Sequence, residues 1–267
     1  PQRVVLTKDD MDGHRVRQLV DAAGTFRLTL ARLPRMTDFK TEVDEFEIKP
    51  IAVEDLLGRP QVPLDRAAME RLIRGRKVLV TGAGGSIGSE LIHQLAGLGP
   101  SGVFLVEQSE FALYAIDQKV SAAYPLLECK TYIADVRDIS RLDQLFGEIC
   151  PDIVFHAAAL KHVPMVERNR IEGIFTNVLG TANVAEACVK YEVQHMVLIS
   201  TDKAVNPSSI MGASKRLAEI YCQARDIEAA SSGRGTRFVT VRFGNVLGST
   251  GSVVPLFQQQ LKNGGPL

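Results

Sequence analysis

Apolar and polar positions follow two patterns over most of the chain, one typical of strands and the other of helices. Six short runs rich in valine, isoleucine and leucine alternate with longer runs whose apolar residues recur every three or four positions, as Ile87, Leu91, Ile92 and Leu95 do. The short runs are almost continuously apolar, which is typical of strands covered on both faces. Strands joined by helical crossovers predict an α/β fold with a doubly wound parallel sheet. The six predicted strands are residues 77–82, 102–108, 129–136, 152–159, 195–201 and 237–246.

The first 76 residues keep neither pattern for long. We expect one helix in residues 10–24 and one strand in residues 25–34, whereas residues 37–65 are charged and interrupted by proline. Such a composition is typical of a connector. We therefore divide the chain into a segment of residues 1–76 and an α/β domain of residues 77–267.

The composition argues against several classes of partner. The 267 residues carry 31 basic and 31 acidic side chains, so no net field favours nucleic acid or an anionic membrane surface. No apolar run reaches the roughly 20 residues that span a membrane, and no signal peptide is visible. The cysteines are isolated and lack metal-ligand spacing, which indicates a reduced intracellular protein without a metal site. Because the chain begins at Pro1, without a methionine, we expect it to be a piece of a longer protein.

A glycine-rich turn joins the first strand of the α/β domain to its first helix. The stretch "TGAGGSIG" places Gly82, Gly85 and Gly88 in a GxxGxxG spacing, with Ser86 and Ile87 opening the helix. Glycine lets the backbone approach a pyrophosphate, and the helix N-terminus supplies free N–H groups and a positive dipole end. Between a strand and a helix, the motif predicts a dinucleotide site rather than a turn without function.

Residues after the next two strands indicate which dinucleotide binds. Glu107 ends the second strand, where a carboxylate can hydrogen-bond the adenosine ribose. Gln108 and Ser109 follow it, without an arginine for a 2′-phosphate, so NAD is favoured over NADP. Asp135 and Val136 end the third strand and are placed to meet the adenine, with a capping role as the equal alternative for the aspartate.

Seven motifs match one known family in order and spacing. They are "TGAGGSIGSEL", "DVRD", "FHAAALKHVPMVE", "TNVLGTANV", "STDKAVNP", "MGASK" and "RFGNVLGS". Together they resemble the extended short-chain dehydrogenase/reductases, and more narrowly the membrane-anchored bacterial UDP-N-acetylglucosamine 4,6-dehydratases of polysaccharide biosynthesis. The resemblance covers about residues 50–267 and implies an NAD-dependent lyase acting on a UDP-sugar.

The resemblance also implies what surrounds this chain in the whole protein. Long members of the group carry transmembrane helices and a further nucleotide-fold-like domain, so residues 1–40 would be the end of that domain and residues 48–60 its connector. The whole protein is then expected at the cytoplasmic face of the bacterial inner membrane. Such enzymes continue after the sixth strand into a lid over the sugar nucleotide, most of which should be missing here. Helices like those of Asn177 and Lys215 form dimer bundles in many superfamily members, so we expect a homo-oligomer.

The implied catalytic residues follow the fifth strand, in "STDKAVNPSSIMGASK". The implied reaction oxidises sugar carbon 4, eliminates water across carbons 5 and 6, and returns the hydride at carbon 6. By resemblance, Asp202 is the acid for the departing hydroxyl and Lys203 the base for carbon 5, with a surface turn as the alternative. Lys203 must then be neutral, which burial and the charge of Lys215 would favour. Burial and a nearby ammonium act in opposite directions on Asp202, and the sequence leaves that balance open.

Met211 stands four residues before Lys215, where the superfamily normally has an ionisable tyrosine. A thioether cannot accept the proton released when carbon 4 is oxidised. The resemblance implies that Lys215 still binds the nicotinamide ribose, and long members of the group share the methionine. Our hypothesis is that Asp202, assisted by Thr201 or a water molecule, takes this proton and later delivers it to the leaving hydroxyl.

The remaining candidates flank these sites. Lys161 and Asn245 resemble positions that reach the sugar nucleotide, with a solvated lysine and a turn asparagine as alternatives, and Val246 would lie near the nicotinamide. His156 is expected to be a buried histidine with satisfied hydrogen bonds, and Asn177 to be structural. Three small residues let the backbone lie close to the cofactor: Ala157, Ala158 and Ala159.

Two other functions remain open from the sequence. A UDP-sugar 4-epimerase would share the fold and cofactor, but it normally needs the tyrosine that Met211 replaces and does not need Lys203. A nucleotide-binding interaction module without catalysis is the third reading. The sequence leaves undetermined which UDP-sugar is used, the configuration of the product and the final polysaccharide.

Overall fold

The computed structural model describes residues 3–7, 11–26, 28–33, 49–50 and 64–246, together with positions 257 and 260. The chain divides into two compact units, Pro1–Leu64 and Asp65–Leu267. Among the described residues, no helix combines the length and the apolar character needed to cross a membrane. That same part of the chain contains no group of three or more histidine, cysteine or carboxylate side chains that could hold a metal ion.

The described residues of the first unit form a small sheet and one helix. Strand β1 (Arg3–Leu6) pairs in parallel with β2 (Thr29–Arg32), and β2 pairs antiparallel with β3 (Lys49–Pro50). Helix α1 (Gly13–Thr25) begins after Asp12, whose carboxylate accepts a hydrogen bond from the N–H of His14. The helix and the strand predicted within residues 10–34 are confirmed. The predicted connector of residues 37–65 lies largely outside the described residues.

The second unit is built on a parallel sheet of six strands in the order β6-β5-β4-β7-β8-β9. This order, which runs outward in both directions from the middle of the sheet, confirms the predicted doubly wound fold. The strands are β4 (Lys77–Thr81), β5 (Gly102–Glu107), β6 (Cys129–Ile133), β7 (Ile153–His156), β8 (His195–Thr201) and β9 (Arg237–Phe243).

Helices connect these strands and cover the sheet. They are α2 (Arg66–Ile73), α3 (Ser86–Ala96), α4 (Glu110–Ala123), α5 (Ile139–Ile149), α6 (Val163–Arg168), α7 (Arg170–Ile174), α8 (Gly180–Lys190) and α9 (Ile210–Ser232). Helix α2 belongs to the second compact unit, whereas our sequence division at residue 76 placed it in the first segment. Its last residue, Ile73, packs in the same buried cluster as the sheet residues Val78 and Val80.

Strand β4 shows why the strand runs are apolar throughout. Its Val78 and Val80 side chains belong to one buried cluster with Ile92 of α3, whereas Leu79 belongs to a second cluster with Phe146 of α5. Successive side chains of a strand point to opposite faces, so a strand with helices on both faces needs apolar residues at every position.

The helical run predicted between Met165 and Lys190 is interrupted where a π turn, Phe175–Leu179, separates α7 from α8. Within this turn, the side-chain oxygen of Asn177 accepts a hydrogen bond from the N–H of Leu160 at 2.8 Å. Its side-chain nitrogen donates to the carbonyl of Leu160 and to the hydroxyl of Ser214, both at 3.0 Å. Asn177 therefore joins the loop after β7 to α9, which confirms its predicted structural role.

Candidate active site

A cleft of about 280 Å³ opens at the carboxyl ends of the central strands. It lies at the point where the chain order reverses between β4 and β7, which is where open α/β sheets bind ligands. Many of the predicted cofactor residues meet there. They are Gly82, Gly85, Glu107, Gln108, Asp135, Val136, Ala157, Ala158 and Ala159.

The other predicted cofactor residues lie outside the lining of this cleft. Ser86 and Ile87 are half-buried at the start of α3, whereas Val246 is exposed after β9. The predicted substrate residues Lys161 and Asn245 are also exposed. The remaining members of the predicted cofactor set that do not line the cleft are Gly88, Ser109 and Lys215.

The glycine turn at the cleft is packed too tightly to accept side chains. Gly82 has a φ of 67°, and a Cβ added there would lie 2.5 Å from the backbone nitrogen of Ala158. A Cβ added at Gly88 would lie 2.1 Å from the carbonyl oxygen of Gly82. Helix α3 begins at Ser86 without a hydrogen bond from a capping side chain. The turn therefore presents bare backbone and a helix N-terminus, an arrangement that fits a pyrophosphate.

Glu107 is fixed by three backbone donors at the edge of the cleft. One oxygen accepts from the N–H of Gly84 at 3.1 Å, and the other accepts from the N–H groups of Gln108 and Ser109 at 2.9 and 3.0 Å. Ser109 also caps α4 by accepting from the N–H of Ala112. The carboxylate therefore holds the glycine turn against the end of β5, and a carboxylate has further lone pairs that can accept from a ribose.

Asp135, which lines the cleft, is paired with Arg137. Its carboxylate accepts from the N–H of Arg137 at 2.9 Å and from Nε of that residue at 2.8 Å. These hydrogen bonds from Arg137 lower the pKa of Asp135. The guanidinium also contacts Glu172 at 2.6 Å. Capping of α5 falls to Asp138, which accepts from the N–H of Arg141, so the capping role considered for Asp135 is wrong.

His156 lies fully buried below the loop of small residues that follows β7. Its Nε2 lies 3.0 Å from the hydroxyl of Thr181, and that hydroxyl donates to the carbonyl of Asn177. The Thr181 oxygen must therefore accept from Nε2–H, which leaves Nδ1 to accept from the Thr81 hydroxyl at 2.7 Å. Burial and the nearby charge of Lys215 lower the pKa of His156 to about 3. The prediction of a buried histidine with satisfied hydrogen bonds is confirmed.

The predicted acid and base lie side by side after β8, in the 3-10 turn Asp202–Ala204. Nζ of Lys203 lies 3.1 Å from Oδ1 of Asp202 and 3.2 Å from Oδ1 of Asn245. The hydroxyl of Thr201 donates to the same aspartate oxygen at 2.9 Å. The structure therefore brings a carboxylate, an amine, a hydroxyl and an amide into one cluster, which we call the acid–base cluster.

The electrostatics of this cluster are those of an open ion pair. Hydrogen bonds from Lys203 and Thr201 lower the pKa of Asp202, so the neighbouring ammonium decides the balance that the sequence left open. Our expectation that Lys203 is buried is wrong. In the structure, 42% of its side chain and 54% of that of Asp202 are exposed. Both groups are accessible to a ligand placed above the strand ends.

Helix α9 carries Met211 and Lys215 into the interior, where they are 3% and 4% exposed. Burial lowers the pKa of Lys215 to about 8, against smaller opposing effects of Cys222 and Glu219. The Lys215 ammonium makes no hydrogen bond or ion pair with any residue that the structure describes. Its N–H groups would be able to donate to the ribose hydroxyls of a dinucleotide.

Glu219, a buried carboxylate on α9, is a residue that its sequence context did not predict. It accepts hydrogen bonds from the Ser200 hydroxyl at 2.6 Å, from Arg216 at 3.0 Å and from two nitrogens of Arg242 at 2.8 and 2.6 Å. Burial raises the pKa of Glu219, but the hydrogen bonds from Arg242, Ser200 and Arg216 outweigh it and lower the pKa to about 2. The available signal was its position one helical turn after Lys215, on the same face of α9.

Three curated relatives share extended similarity with this chain. The capsular polysaccharide biosynthesis protein CapD of Staphylococcus aureus is 41% identical over 268 residues, which cover 100% of this chain and 44% of CapD. The UDP-N-acetylglucosamine 4,6-dehydratase (inverting) of Campylobacter jejuni is 35% identical, covering 72% of this chain and 56% of the relative. The UDP-glucose 4-epimerase of Rickettsia canadensis is 37% identical, with coverage of 72% and 55%. The chain therefore spans about half the length of these relatives.

Solved structures with the same architecture support the fold. The structure of Pen from Bacillus thuringiensis has a TM-score of 0.65 and 33% identity, and the match covers 71% of this chain and 56% of Pen. DesIV from Streptomyces venezuelae, a dTDP-glucose 4,6-dehydratase with NAD and TYD bound, has a TM-score of 0.59 and 25% identity, with coverage of 72% and 63%.

The family assignment follows from the sequence match as well as from the fold. A family described as "Polysaccharide biosynthesis protein" matches residues 78–267, which include the glycine turn, the cleft and the acid–base cluster. The parallel sheet and the cleft have the architecture expected of the extended short-chain dehydrogenase/reductases. This chain belongs to that polysaccharide biosynthesis protein family, within the extended short-chain dehydrogenase/reductases.

Proposed function

We propose that this chain is the catalytic part of a nucleotide-sugar 4,6-dehydratase. Its substrate would be a UDP-N-acetylhexosamine, with UDP-N-acetylglucosamine as the first candidate, and its product a 4-keto-6-deoxy sugar nucleotide for a surface polysaccharide. The observation that carries this proposal is the contact between Asp202 and Lys203 at the carboxyl end of β8, with Nζ and Oδ1 3.1 Å apart. Elimination of water needs an acid and a base close together, whereas epimerisation at carbon 4 does not.

The residues of the cleft fit NAD as the cofactor. The Gly82–Gly88 turn and the N-terminus of α3 would hold the pyrophosphate, and Glu107 the adenosine ribose. Arg137, the arginine that follows the cleft residue Val136, is engaged by Asp135 and Glu172, which supports NAD over NADP. The buried Lys215 ammonium would donate to the nicotinamide ribose. When bound, NAD would accept the hydride of carbon 4 and later return it to carbon 6.

Asp202 would act first as a base and then as an acid. Its lowered pKa means that it begins as a carboxylate, able to take the proton of the carbon-4 hydroxyl as the ketone forms. The buried thioether of Met211 offers no alternative acceptor. The same proton would then pass from Asp202 to the hydroxyl leaving carbon 6, which departs as water. One group would thus perform both proton transfers and return to its initial charge.

Lys203 would remove the proton from carbon 5, which the ketone at carbon 4 acidifies. This role requires the neutral amine. Protonation of Asp202 in the first step would remove the negative charge that lies 3.1 Å from Nζ and favours the ammonium form. After water leaves, Lys203 would return its proton to carbon 5 as the hydride returns to carbon 6. The sum of these steps is the loss of one water without net oxidation.

The test is incubation of the full-length protein with UDP-N-acetylglucosamine and NAD, followed by mass spectrometry of the sugar nucleotide. We expect a product that has lost one water. Lys203→Ala should abolish both this product and the exchange of the carbon-5 proton with deuterated solvent. Lys130→Ala, which changes an exposed lysine paired with Glu128, is the matched control and should leave both unchanged. Full activity of Lys203→Ala would remove this residue from the base role.

A UDP-sugar 4-epimerase is the second candidate, because an epimerase of Rickettsia canadensis is 37% identical to this chain. In that case the product would have unchanged mass and altered configuration at carbon 4. An absence of turnover with retained NAD binding would support a non-catalytic binding module. Met211→Tyr gives a further test, since a large gain in rate would show that the natural site lacks a working base at carbon 4.

The domain organisation, assembly and location of the whole protein are proposed from the resemblance. Residues 1–76 would be the end of a preceding domain and its connector, and residues 77–267 a catalytic domain truncated before most of its substrate lid. The whole protein would act as a homo-oligomer at the cytoplasmic face of the inner membrane. Cross-linking and fractionation of the full-length protein would test the assembly and the location separately.

A further inference from the structure

Lys203 is held by an amide that comes from a distant part of the chain. Its Nζ lies 3.2 Å from Oδ1 of Asn245, which is 42 residues later in the sequence and follows β9. The second contact of Nζ is the neighbouring carboxylate of Asp202. An ammonium has three N–H donors, so two are directed by these oxygens and one remains available.

The ends of β8 and β9 are brought together by strand register. Ser200 pairs with Arg242, and Thr201 pairs with Phe243, so the chain leaves the sheet at the same level on both strands. The buried carboxylate of Glu219 binds the side chains of both Ser200 and Arg242. This link below the strand ends fixes the spacing between the acid–base turn and the segment that carries Asn245.

The backbone of Lys203 is also fixed, from the side of α9. A Cβ added at Gly212, in the first turn of α9, would lie 2.3 Å from the carbonyl oxygen of Lys203. The main chain of Lys203 is therefore held while 42% of its side chain remains exposed. An exposed lysine side chain has several rotatable bonds, so its amine keeps one direction only where acceptors fix it.

We propose that Asn245 is a positioning residue whose amide oxygen directs the amine of Lys203 during proton abstraction at carbon 5. This inference rests on the proposed dehydratase function and changes the role of Asn245 from contact with the sugar nucleotide to orientation of the base. An amide suits this task because it accepts a hydrogen bond from the ammonium and from the neutral amine alike. A carboxylate at the same place would favour the ammonium and oppose the base form.

Within the part of the chain that the structure describes, few charged groups face the amine of Lys203. Asp202 contributes one carboxylate from the same turn, and Asn245 is neutral. On α9, which packs against this turn, the first charged residue after Gly212 is the buried Lys215. Arg242, near the end of β9, is paired with Glu219. A new charge at position 245 would therefore act directly on Lys203.

The experiment compares Asn245→Ala, Asn245→Asp and Lys203→Ala in the full-length protein with UDP-N-acetylglucosamine. For Asn245→Ala we expect kcat to fall roughly 10- to 100-fold with KM almost unchanged, because the base is misplaced while the substrate still binds. For Asn245→Asp we expect the rising limb of the kcat pH profile to move up by about one pH unit or more. Gln94→Ala, which removes an exposed amide bonded to Glu90, is the control and should match the wild type.

A second readout does not depend on turnover. In the ligand-free protein with isotope-labelled lysines, NMR titration of Lys203 should show a higher midpoint in Asn245→Asp than in the wild type. An unchanged midpoint, or a rise in KM at constant kcat for Asn245→Ala, would overturn the positioning role. Full activity of Lys203→Ala would overturn it together with the base role, whereas an inactive Lys203→Ala with an unshifted Asn245→Asp profile would overturn the positioning role alone.

Discussion

Replacement of Glu219 by glutamine is expected to destabilise the second unit by removing its buried carboxylate. Glu219 accepts hydrogen bonds from Ser200, Arg216 and Arg242, whose donors lie 2.6–3.0 Å from its oxygens. Glutamine has a similar size, so the substitution leaves little cavity. It replaces one acceptor oxygen by an NH₂ group that faces arginine donors, and it leaves two guanidinium groups without their counter-charge.

The magnitude follows from the pKa of Glu219, which the net effect of these hydrogen bonds lowers from 4.5 to about 2. Each pH unit of that difference corresponds to ~1.4 kcal/mol, so the charged form is stabilised by about 3 kcal/mol above pH 5. Arg216 and Arg242 are 42% and 40% exposed, and solvent screening brings the figure to about 2 kcal/mol. For a unit of roughly 200 residues, this lowers Tm by about 4–8 °C.

The pH dependence of this effect has a definite sign. The pKa of Glu219 is lower in the folded protein than in the unfolded chain, so its stabilising contribution is complete above about pH 5. As the pH falls from about 4.5 towards 2, the unfolded chain takes up a proton that the folded protein resists, and the contribution is lost. The difference in stability between the wild type and Glu219→Gln should therefore narrow between pH 5 and pH 3.

The assay is thermal unfolding followed by circular dichroism at pH 7, 5, 4 and 3. Glu186→Gln is the matched control, because Glu186 binds Tyr221 and Arg225 with 46% of its side chain exposed. Its loss should amount to less than about 1 kcal/mol at pH 7. If Glu219→Gln unfolds at the same temperature as Glu186→Gln, or if its difference from the wild type stays constant down to pH 3, the carboxylate does not stabilise the strand ends as argued.

Two further predictions concern the cleft and the buried histidine. Gly88→Ala places a methyl group 2.1 Å from the Gly82 carbonyl and should weaken NAD binding at least tenfold by isothermal titration, whereas Gly97→Ala, where the added Cβ has 3.6 Å contacts, should bind normally. Equal NAD affinities of Gly88→Ala and Gly97→Ala would show that the turn at Gly88 has room for a side chain. The wild type should lose up to ~1.4 kcal/mol of unfolding free energy per pH unit between pH 6.5 and 4, because the unfolded chain is protonated where the buried His156 is not. In His156→Gln, the unfolding free energy measured in urea should lack this dependence on pH. If the wild type and His156→Gln lose unfolding free energy at the same rate as the pH falls, His156 is not neutral in the folded protein.

The positions of the strands could be predicted because the apolar pattern of a strand is local in the sequence. The exposure of individual strand residues could not be predicted in this way. A run such as 77–82 predicts a strand covered on both faces, and β4 has that environment. The run containing Thr131 and Ile133 resembles it in composition, yet both residues are exposed because β6 is an edge strand. Which strand becomes an edge depends on the order of the crossovers, which hydrophobic periodicity does not encode.

In the candidate site, too, local features could be predicted from the sequence and long-range contacts could not. The turn from Gly82 to Gly88 was predictable, because its spacing, strand and helix lie within a few residues of one another. The contact between Lys203 and Asn245 spans 42 residues and depends on the register of β8 with β9, so both residues could be predicted as candidates but their contact could not. Glu219 escaped prediction because an isolated glutamate on a helix is usually solvated, and only its partners on two strand ends explain its burial.

The acid–base cluster also explains why one carboxylate could replace two separate groups in the proposed reaction. Asp202 and Lys203 share a hydrogen bond, so a change of charge on the carboxylate is felt directly by the amine. Before oxidation at carbon 4, the carboxylate would favour the ammonium, and Lys203 would not attack carbon 5 early. Once Asp202 had taken the carbon-4 proton, that attraction would be gone, the base form of Lys203 would become accessible, and the acid for the leaving hydroxyl would be in place. The order of the proton transfers would then follow from one contact, because the first transfer removes the charge that blocks the second.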